Sequence, residues 1–514
     1  MATGASIAQS TLLLTLANLA MRGVSMLFQV YLTGQVGAVG IGLLQLIMTV
    51  HGFAITLGTS GIRVAAMYLS AEEYGLRRPS GVRQAMLWCL GAGTLLSILV
   101  GLAMAFFAEP LALYWVKDLQ AVASLRLLGL SLPLTCLSTI LAGYFTACGK
   151  VKKLVVVEIA DRVATVGLTA WLLNMGVPGD LSHACVSIVA GGALASLGSV
   201  AVLLTMLGRD MLSTGSVPKD LSMGRRLLRL CVPIALNDYL RSGLGTLEQF
   251  LIPHGLTRSG SSRTTALADY GTIHGMVFPV LMFPSTVLFA VSDLLVPELA
   301  LCRAQKNTTR IRHITQTCLH MGFLFSALVA GLLFVVAEPL GYLLYARHSA
   351  GQYLRLFAPL IPMLYLDCIV DGMHKGLGQQ VYCVRVNTLT SLLDVILLFV
   401  LLPRYGIGGY YFSFILTHAL NFYLSIRRLL QIAGSIPLLD TLLPILGSIC
   451  ATTWFVMRFV PVAPRWYSVL ICGGLYLTLA VLLLLLVGAW KGEFSRLFWQ
   501  MFGFRRKIPG KSRR

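Results

Sequence analysis

Apolar runs of about 20 residues recur along the chain from near residue 8 to residue 489. A helix needs about 20 consecutive apolar residues to cross the roughly 30 Å hydrocarbon layer of a membrane. The polar segments between the runs are mostly too short to form a soluble domain. The pattern predicts an all-α membrane protein with about 14 transmembrane helices. The predicted spans are 8–31, 37–69, 84–107, 122–146, 154–175, 183–207, 228–252, 265–297, 315–343, 354–374, 381–402, 408–426, 438–460 and 467–489.

Three of the predicted helices carry polar side chains at steps of three and four, which places them on one helix face. A charged side chain inside the bilayer is costly and usually faces a cavity or a partner. Because each polar face contains an arginine, we predict a hydrated basic cavity. The faces comprise Thr11, Thr15, Asn18, Arg22, Ser25 and Gln29 in helix 1; Gln45, Thr49, Gly52, Thr56, Thr59 and Arg63 in helix 2; and Asn237, Arg241, Gly245 and Glu248 in helix 7.

Each of these arginines also has a structural interpretation. Arg241 can pair with Asp238 or Glu248 of its own helix, whereas Arg22 has no acid in its helix and favours a cavity role. Arg63 lies near a helix end and can extend its guanidinium group to the membrane surface. The candidate substrate-binding residues are Arg22, Arg63, Arg241, Asn18, Asn237, Gln29 and Glu248.

Acidic residues in two further helices suggest ion coupling less directly. Asp367 and Asp371 share a face of helix 10, where a carboxylate pair can carry protons or sodium, or simply hydrogen-bond to another helix. Glu158 and Asp161 of helix 5 are expected to be neutralised locally, and Asp394 of helix 11 is expected to be structural.

No catalytic, cofactor or metal motif is evident in the sequence. The nine histidines lack metal-ligand spacing, and the eleven cysteines are scattered singly without a C-x-x-C pair. No ATP-binding domain is predicted, so transport must draw on gradients, membrane potential or downstream consumption. The chain is therefore predicted to be a transporter and not an enzyme.

Two segments match at a constant offset of 229 residues. Residues 125–149 and 354–378 share Leu-Arg-Leu at their start and a proline and two glycines in register. Asn18 and Arg22 are also spaced like Asn237 and Arg241. Both matches pair a helix with the one six positions later, which predicts two parallel six-helix repeats followed by two C-terminal helices. The predicted divisions are a lobe at 1–207, a cytoplasmic linker at 208–227, a second lobe at 228–430, two further helices at 431–490 and a basic tail at 491–514.

Composition and charge agree with a membrane location. The chain is 57% hydrophobic and 12% charged, whereas globular proteins carry about a quarter charged residues. The net charge of +20 would suggest nucleic acid for a soluble protein, but here its distribution between the two membrane faces matters. Of the 40 Lys and Arg residues, 27 fall on the face shared by both termini and nine on the other. The positive-inside rule then places both termini in the cytoplasm, with the basic tail against anionic lipids or acting as a simple topology anchor.

Four segments resemble one known group of transporters. They are LGTSGIRVAAMYLSAEEYG at 57–75, ADYGTIHGMVFPVLMFPSTVLFAVSDLLVPELA at 268–300, LRLFAPLIPMLYLDCIVDGMHKGLGQQ at 354–380 and YGIGGY at 405–410. The chain resembles the multidrug/oligosaccharidyl-lipid/polysaccharide (MOP) superfamily, in its stage V sporulation protein B branch, along nearly its whole length.

The resemblance implies two six-helix lobes in a V that alternates access, with a polyprenyl-tail groove at helices 13 and 14. Family members line the cavity with cations in helices 1, 2 and 8; Arg22 and Arg63 match the first two, but helix 8 has His274 and no arginine. The implied substrate is a polyprenyl-pyrophosphate-linked sugar for envelope, peptidoglycan or spore-cortex synthesis, moved across a bacterial plasma membrane. Its doubly anionic head suits arginine.

Two alternatives remain open. One is a cation-coupled drug or metabolite exporter of the same superfamily, which would rely on Asp367 and Asp371. The other is a membrane scaffold that recruits wall-synthesis enzymes through its basic loops and tail.

Overall fold

The computed structural model describes residues 4–76, 78–175, 180–212, 221–434 and 439–487, with the side chains of 4–18, 212, 221 and 439–441 outside the description. Every regular element in these ranges is helical, which confirms the predicted all-helical class. The predicted linker falls largely outside the described ranges, and the basic tail falls wholly outside them.

Glycines divide the first long helical region. Helix α1 covers Gly4–Thr59 and is interrupted at Gly37, whose φ of 67° is a left-handed value that only glycine adopts without strain. Helix α2 covers Ile62–Gly75 and follows Gly61, whose φ is 77°. The predicted first two spans therefore meet at a single non-helical residue, and the second span has a break near its end.

The remaining helices follow in chain order. They are α3 Pro79–Phe106, α4 Ala108–Pro110, α5 Ala121–Ala147, α6 Val151–Asn174, α7 Leu181–Leu212, α8 Leu221–Arg258, α9 Arg263–Tyr270, α10 Phe278–Met282, α11 Ser285–Ala304, α12 Thr308–Tyr345, α13 His348–Phe357, α14 Ile361–Gly376, α15 Gln380–Tyr405, α16 Ile407–Ala433, α17 Leu439–Phe459 and α18 Trp466–Leu486. Two π-helical segments, Leu111–Val116 and Gly271–Val277, and a 3₁₀ turn, Ala358–Leu360, connect some of them.

The predicted span 265–297 is not one continuous helix. It consists of α9, the π-helical segment Gly271–Val277, α10 and the first part of α11. Pro284 immediately precedes α11, and a proline inside a helix removes a backbone donor and clashes with the preceding turn. The expectation of an unbroken helix here was wrong in detail.

Ten helices of the described chain are long and apolar enough to cross a membrane. The first of these, Leu19–Gly75, contains two of the predicted spans, and the predicted spans in α6, α8 and α16 are helices of 24, 38 and 27 residues. The multi-pass membrane class is thus confirmed, whereas the count of fourteen stays a prediction.

The offset of 229 residues recurs in local structure beyond the segments that revealed it. Glu109 pairs with Arg126 at 2.5 Å, and Glu338, at the same offset, pairs with Arg355 at 2.5 Å. Both acids stand in an Ala-Glu-Pro-Leu sequence. Left-handed residues also recur in pairs at this offset: Lys117 and Ala346, Gly149 and Gly378.

A close helix crossing recurs at the same offset. A Cβ on Gly143 would lie 3.0 Å from the carbonyl oxygen of Arg63, and a Cβ on Gly372 would lie 3.0 Å from that of Ser292. In each case the glycine lets two helices approach closely. The two repeats therefore share backbone packing and differ in side-chain chemistry, with an arginine in one and a serine in the other.

The chain forms two compact units, residues 1–276 with 391–413 and residues 277–390 with 414–514. The first has a core in which α2, α3, α5 and α8 contribute buried residues, including Met86 and Phe145. The second has a core of α12, α17 and α18 built around Tyr476. Compact units and sequence repeats are different divisions, so the predicted lobes at 1–207 and 228–430 stay predictions.

Candidate functional site

Within the first unit, polar side chains join the region of α1 that precedes α2 to α8. The Ser242 hydroxyl contacts the Thr56 hydroxyl at 3.1 Å, and the Ser60 hydroxyl donates to Asp238 at 2.6 Å. The Tyr239 hydroxyl also donates to the Leu57 carbonyl at 3.1 Å. We call the row of contacts through Thr56, Ser60, Asp238 and Ser242 the α8 seam.

The α8 seam lies close in sequence to two of the predicted cavity arginines. Arg241 is the neighbour of Ser242, and Arg63 follows Ser60 by three residues in the next helix. Both side chains are exposed. In the described part of the chain neither makes a hydrogen bond or ion pair, so the predicted pairing of Arg241 with Asp238 is not formed: Asp238 accepts from Ser60 instead.

Arg63 has acidic residues of α6 nearby. The Glu158 carboxylate is close enough to be influenced electrostatically by Arg63 and by Asp161. Asp161 accepts a hydrogen bond from Ser199 of α7. Glu158 is thus drawn toward Arg63 as well as toward the neighbours in its own helix that the sequence suggested, and an anion approaching Arg63 must compete with it.

The other predicted residues of helices 1 and 7 are dispersed. Arg22 is exposed on α1, and the side chain of Asn18 lies outside the description. Gln29 donates to the Gly275 carbonyl at 2.9 Å, so it holds α1 to the π-helical segment. Asn237 is half-buried one turn before Arg241.

Glu248 and His274 belong to a separate polar group that the first unit assembles from α8, α9, the following π-helical segment, α15 and α16. We call it the Glu248 cluster, comprising Glu248, Tyr270, His274, Asp394 and Tyr410. The carboxyl groups of Glu248 and Asp394 are hydrogen-bonded to each other. Tyr410 and His274 Nε2 are 3.2 Å apart, and the rings of Tyr270 and His274 stack with centroids 4.9 Å apart.

Further hydrogen bonds fix the edges of the Glu248 cluster. Ser413 donates to Asp394 at 2.7 Å, and the Tyr270 hydroxyl donates to Gln249 at 2.6 Å. Asp394 is 6% exposed and Tyr410 1%. Two carboxyl groups that hydrogen-bond in an apolar setting must share a proton or take up a cation, because two bare anions there repel each other.

The second unit contains the predicted acidic pair of helix 10. Asp367 and Asp371 are half-buried on α14 and interact electrostatically. One buried oxygen of Asp367 has no hydrogen-bond partner. Within the described residues no group of three or more His, Cys, Asp or Glu side chains could hold a metal ion.

The second unit also contains an apolar cavity of about 380 Å³. Its walls come from α12, from α17 and from the turn before α14. Thr453 is the one wall residue with a hydroxyl group among those that line it: Ala327, Ala330, Gly331, Phe334, Pro359, Pro362, Leu446, Ile449, Cys450, Thr453, Trp454 and Met457. Such a wall suits a hydrocarbon chain and offers little to a polar ligand.

Arg355 stands beside this cavity. Its guanidinium group lies over the Phe334 ring at 5.3 Å and contacts the Met457 sulfur at 3.8 Å while pairing with Glu338. The equivalent Arg126 of the first repeat has the same acidic partner, so the ion pair belongs to the repeat and the apolar contacts belong to the cavity.

The sequence matches the family described as polysaccharide biosynthesis protein over residues 7–300, which is more than half of the chain. The chain belongs to this family. A second family, described as MatE, matches residues 262–400. The polysaccharide biosynthesis family is part of the MOP superfamily of transporters, so the chain is a membrane transporter and not an enzyme.

Curated relatives and solved structures agree with this membership. Stage V sporulation protein B of Bacillus subtilis (strain 168) is 20% identical over 408 residues, 78% of each chain. The uncharacterized membrane protein YabM of the same organism is 22% identical over 457 residues, 86% of this chain and 83% of its own.

Two solved structures share the fold at 12% sequence identity. The lipid II flippase MurJ in an inward closed conformation has a TM-score of 0.73 and covers 96% of this chain and 99% of its own. An inward-facing multidrug resistance MATE transporter of the MOP superfamily has a TM-score of 0.65 and covers 80% of this chain and 96% of its own.

Sequence reasoning missed most of the Glu248 cluster. Asp394 was expected to be structural, yet it hydrogen-bonds to Glu248 and Ser413. A signal existed for Tyr410, because it ends the YGIGGY segment that carries part of the family resemblance. No periodicity within one helix could have linked Tyr410 to His274, which lies 136 residues earlier.

Proposed function

We propose that this transporter moves a polyprenyl-pyrophosphate-linked sugar from the inner to the outer leaflet by alternating access. The observation that carries the proposal is the apolar cavity of about 380 Å³ walled by α12 and α17. Helix α17 is one of the two helices beyond the predicted twelve, and twelve-helix exporters have no equivalent of it. The isoprenoid tail is assigned to this cavity.

The anionic head of the lipid is assigned to the arginines of the first unit. Arg22, Arg63 and Arg241 are all exposed on helices that carry polar faces. Arginine binds phosphate oxygens through paired, charge-assisted hydrogen bonds, and its charge does not titrate. Asn18, Asn237 and Gln29 supply neutral donors and acceptors that suit a sugar.

The topology needed for this direction of transport also belongs to the proposal. It consists of fourteen spans, two parallel six-helix repeats, and both termini in the cytoplasm of a bacterial cell. The likeness to MurJ over 96% of the chain supports a full set of fourteen, since the MATE structure covers 80%. Work in envelope, peptidoglycan or spore-cortex synthesis is proposed from the names of MurJ and stage V sporulation protein B. Recruitment of wall-synthesis enzymes and binding of anionic lipid by the tail remain predictions.

The Glu248 cluster favours a second candidate, cation-coupled export of a drug or metabolite. A hydrogen-bonded carboxyl pair can take up a proton or a monovalent cation in one conformation and release it in another. Asp367 and Asp371 are the pair that the sequence suggested for the same task, and the unpartnered oxygen of Asp367 supports them. Either pair is also compatible with driving a flippase.

Competitive lipid binding measured by native mass spectrometry tests the first candidate. We expect the purified protein to retain a polyprenyl-pyrophosphate sugar in preference to phosphatidylglycerol. Arg63→Ala removes charge-assisted hydrogen bonds, and its affinity should fall roughly tenfold or more. Arg126→Ala is the matched control, because Arg126 is an exposed arginine already paired with Glu109. Equal retention of both lipids by the unaltered protein would contradict the proposal.

A further inference from the structure

An ion-paired cluster lies within the first unit, where the last turn of α2 meets the start of α8. Arg226 of α8 pairs with Glu72 at 2.5 Å through one nitrogen and with Glu73 at 3.3 Å through the other. The Arg226 and Glu72 side chains are each 38% exposed, whereas that of Glu73 is 7% exposed. Arg226 thus holds one accessible and one buried carboxylate of a neighbouring helix.

The buried carboxylate makes this contact more than a surface ion pair. A Cβ on Gly81 would lie 2.2 Å from Glu73 Oε2, so the carboxylate occupies the space that a glycine leaves at the start of α3. Removal of one partner of a buried pair leaves an uncompensated charge, which strongly favours a rearrangement. Release of Arg226 would therefore destabilise the packing of α2 beside α8.

The ion-paired cluster continues the α8 seam. Along α8, Arg226 is followed by Asp238, which accepts from Ser60, and by Ser242, which contacts Thr56. All these contacts join α8 to the segment that runs from α1 into α2. A Cβ on Gly61 would lie 2.5 Å from the Cys231 carbonyl oxygen, so the two backbones also touch between them.

Arg226 is well suited to exchange its carboxylate partners for a phosphate anion. Arg225 and Arg229 stand exposed in the same two turns, on the face that the positive-inside rule assigns to the cytoplasm. A diphosphate carries more charge than a carboxylate and matches the guanidinium fork equally well. Exposed ion pairs of this kind are weak in water, so such an anion can compete for Arg226.

The second repeat lacks this arrangement. The positions 229 residues after Glu72 and Glu73 are Leu301 and Cys302, neither of which is acidic. Arg310, equivalent to Gly81, pairs instead with Glu298 of the preceding helix, α11. The contact of Arg226 with two acids is therefore an addition to the repeated scaffold.

We propose that Arg226 is the first contact for the anionic diphosphate head of the substrate, which displaces Glu72 and Glu73 and so releases α2 from α8. The inference rests on the proposed function, since it names the capture step of the same transport. The anion can shift the equilibrium only by binding the released form better than the paired one, and the pairing with Glu72 and Glu73 supplies that difference.

Disulfide formation across the α8 seam reports the paired form. Thr56→Cys with Ser242→Cys places two thiols where the hydroxyl groups are now 3.1 Å apart. Inside-out membrane vesicles are oxidised briefly, and the disulfide-linked peptide is measured by mass spectrometry, with each single cysteine variant as a background. Inorganic pyrophosphate is the probe, compared with sulfate at equal ionic strength.

We expect pyrophosphate, and not sulfate, to lower the disulfide yield by about fivefold or more, the size of a modest allosteric coupling. Arg226→Gln should lower the yield without any anion and remove the response to pyrophosphate. Glu73→Gln keeps the shape of the carboxylate but not its charge, so less pyrophosphate should be needed for half of the effect. Arg310→Gln, which breaks the Glu298 pair of the second repeat, should change neither quantity.

Opposite shifts from Arg226→Gln and Glu73→Gln cannot arise from a general loss of stability. A disulfide yield that does not respond to pyrophosphate, or a response that survives Arg226→Gln, would overturn the inference. Failure of the proposed function looks different: the seam would respond to pyrophosphate while lipid binding showed no preference for a polyprenyl-pyrophosphate sugar.

Discussion

Replacement of Asp394 tests the hydrogen bonds that hold the Glu248 cluster together. Asp394 is 6% exposed, accepts from Ser413 at 2.7 Å and hydrogen-bonds to Glu248. Asp394→Ala removes the partner of both groups. Asp394→Asn keeps an oxygen that accepts from Ser413 and adds an amide N–H that donates to the Glu248 carboxylate. The two variants remove the same charge and differ in hydrogen bonding.

The expected destabilisation follows from these two contacts. An interhelical hydrogen bond in a membrane protein contributes about 0.6 kcal/mol on average and up to about 1.7 kcal/mol. A buried polar group left without a partner adds about 1–3 kcal/mol. With Ser413 and Glu248 both losing Asp394, we expect Asp394→Ala to lower the free energy of unfolding by about 2–4 kcal/mol. Asp394→Asn should lower it by less than about 1 kcal/mol.

Equilibrium unfolding in a mild detergent, followed by the fluorescence of the seven tryptophans, measures this difference. Thr390→Ala is the matched control, because Thr390 is a buried hydroxyl residue on the same helix whose hydrogen bonds stay within α15. Its effect should be below about 1 kcal/mol, since an intrahelical carbonyl keeps its backbone partner.

Two results would refute the reasoning. Asp394→Asn could prove as destabilising as Asp394→Ala, in which case charge and not hydrogen bonding links Asp394 to its neighbours. Alternatively, Asp394→Ala could match Thr390→Ala, in which case the contacts with Glu248 and Ser413 contribute nothing measurable.

Three further predictions concern other parts of the molecule. Gly271→Ala should destabilise the protein by about 1–3 kcal/mol in the same unfolding assay, because its Cβ would lie 2.5 Å from the Gly42 nitrogen; an unchanged midpoint would contradict this close approach. Arg126→Ala should lower the free energy of unfolding by less than about 1 kcal/mol, since its partner is exposed; a larger loss would mean that the repeated ion pair is a structural requirement. Cys450→Trp, at an exposed residue that lines the apolar cavity, should weaken binding of a long-chain polyprenyl-pyrophosphate in native mass spectrometry but not of a short-chain analogue; equal effects on both would remove the tail from this cavity.

The helical class could be predicted from the sequence because each apolar run is long and self-contained. The repeat could be predicted because Pro133 and Gly143 keep their register with Pro362 and Gly372. The structure extends that register to an acid that the comparison of apolar segments had passed over: Glu109 and Glu338 form the same ion pair.

The break between Tyr270 and Ser285 was foreseeable in principle. Pro279 and Pro284 stand five residues apart in the predicted helix 8, and each removes a helical hydrogen bond. Hydropathy alone hides such a break, because an apolar segment keeps its mean value whether its backbone is continuous or not.

The candidate site was harder to predict, because its contacts join distant parts of the chain. The polar faces of single helices identified Glu248, but only packing shows that its carboxyl group meets Asp394 of α15. In the same way, Arg226 was counted as one of many cytoplasmic charges, and its pairing with Glu72 and Glu73 depends on a contact between helices more than 150 residues apart. Charge counting finds the membrane face and cannot find the partner.

Reconstitution tests the central claim most directly. Proteoliposomes are loaded with a polyprenyl-pyrophosphate sugar, and its arrival in the opposite leaflet is measured with an enzyme that cannot cross the bilayer. We expect the unaltered protein and Arg126→Ala to transfer the lipid, and Arg63→Ala to lose transfer while remaining folded. Transfer no faster than in protein-free vesicles, or equal transfer by Arg63→Ala, would contradict the claim that arginines of this transporter carry a diphosphate head across the membrane.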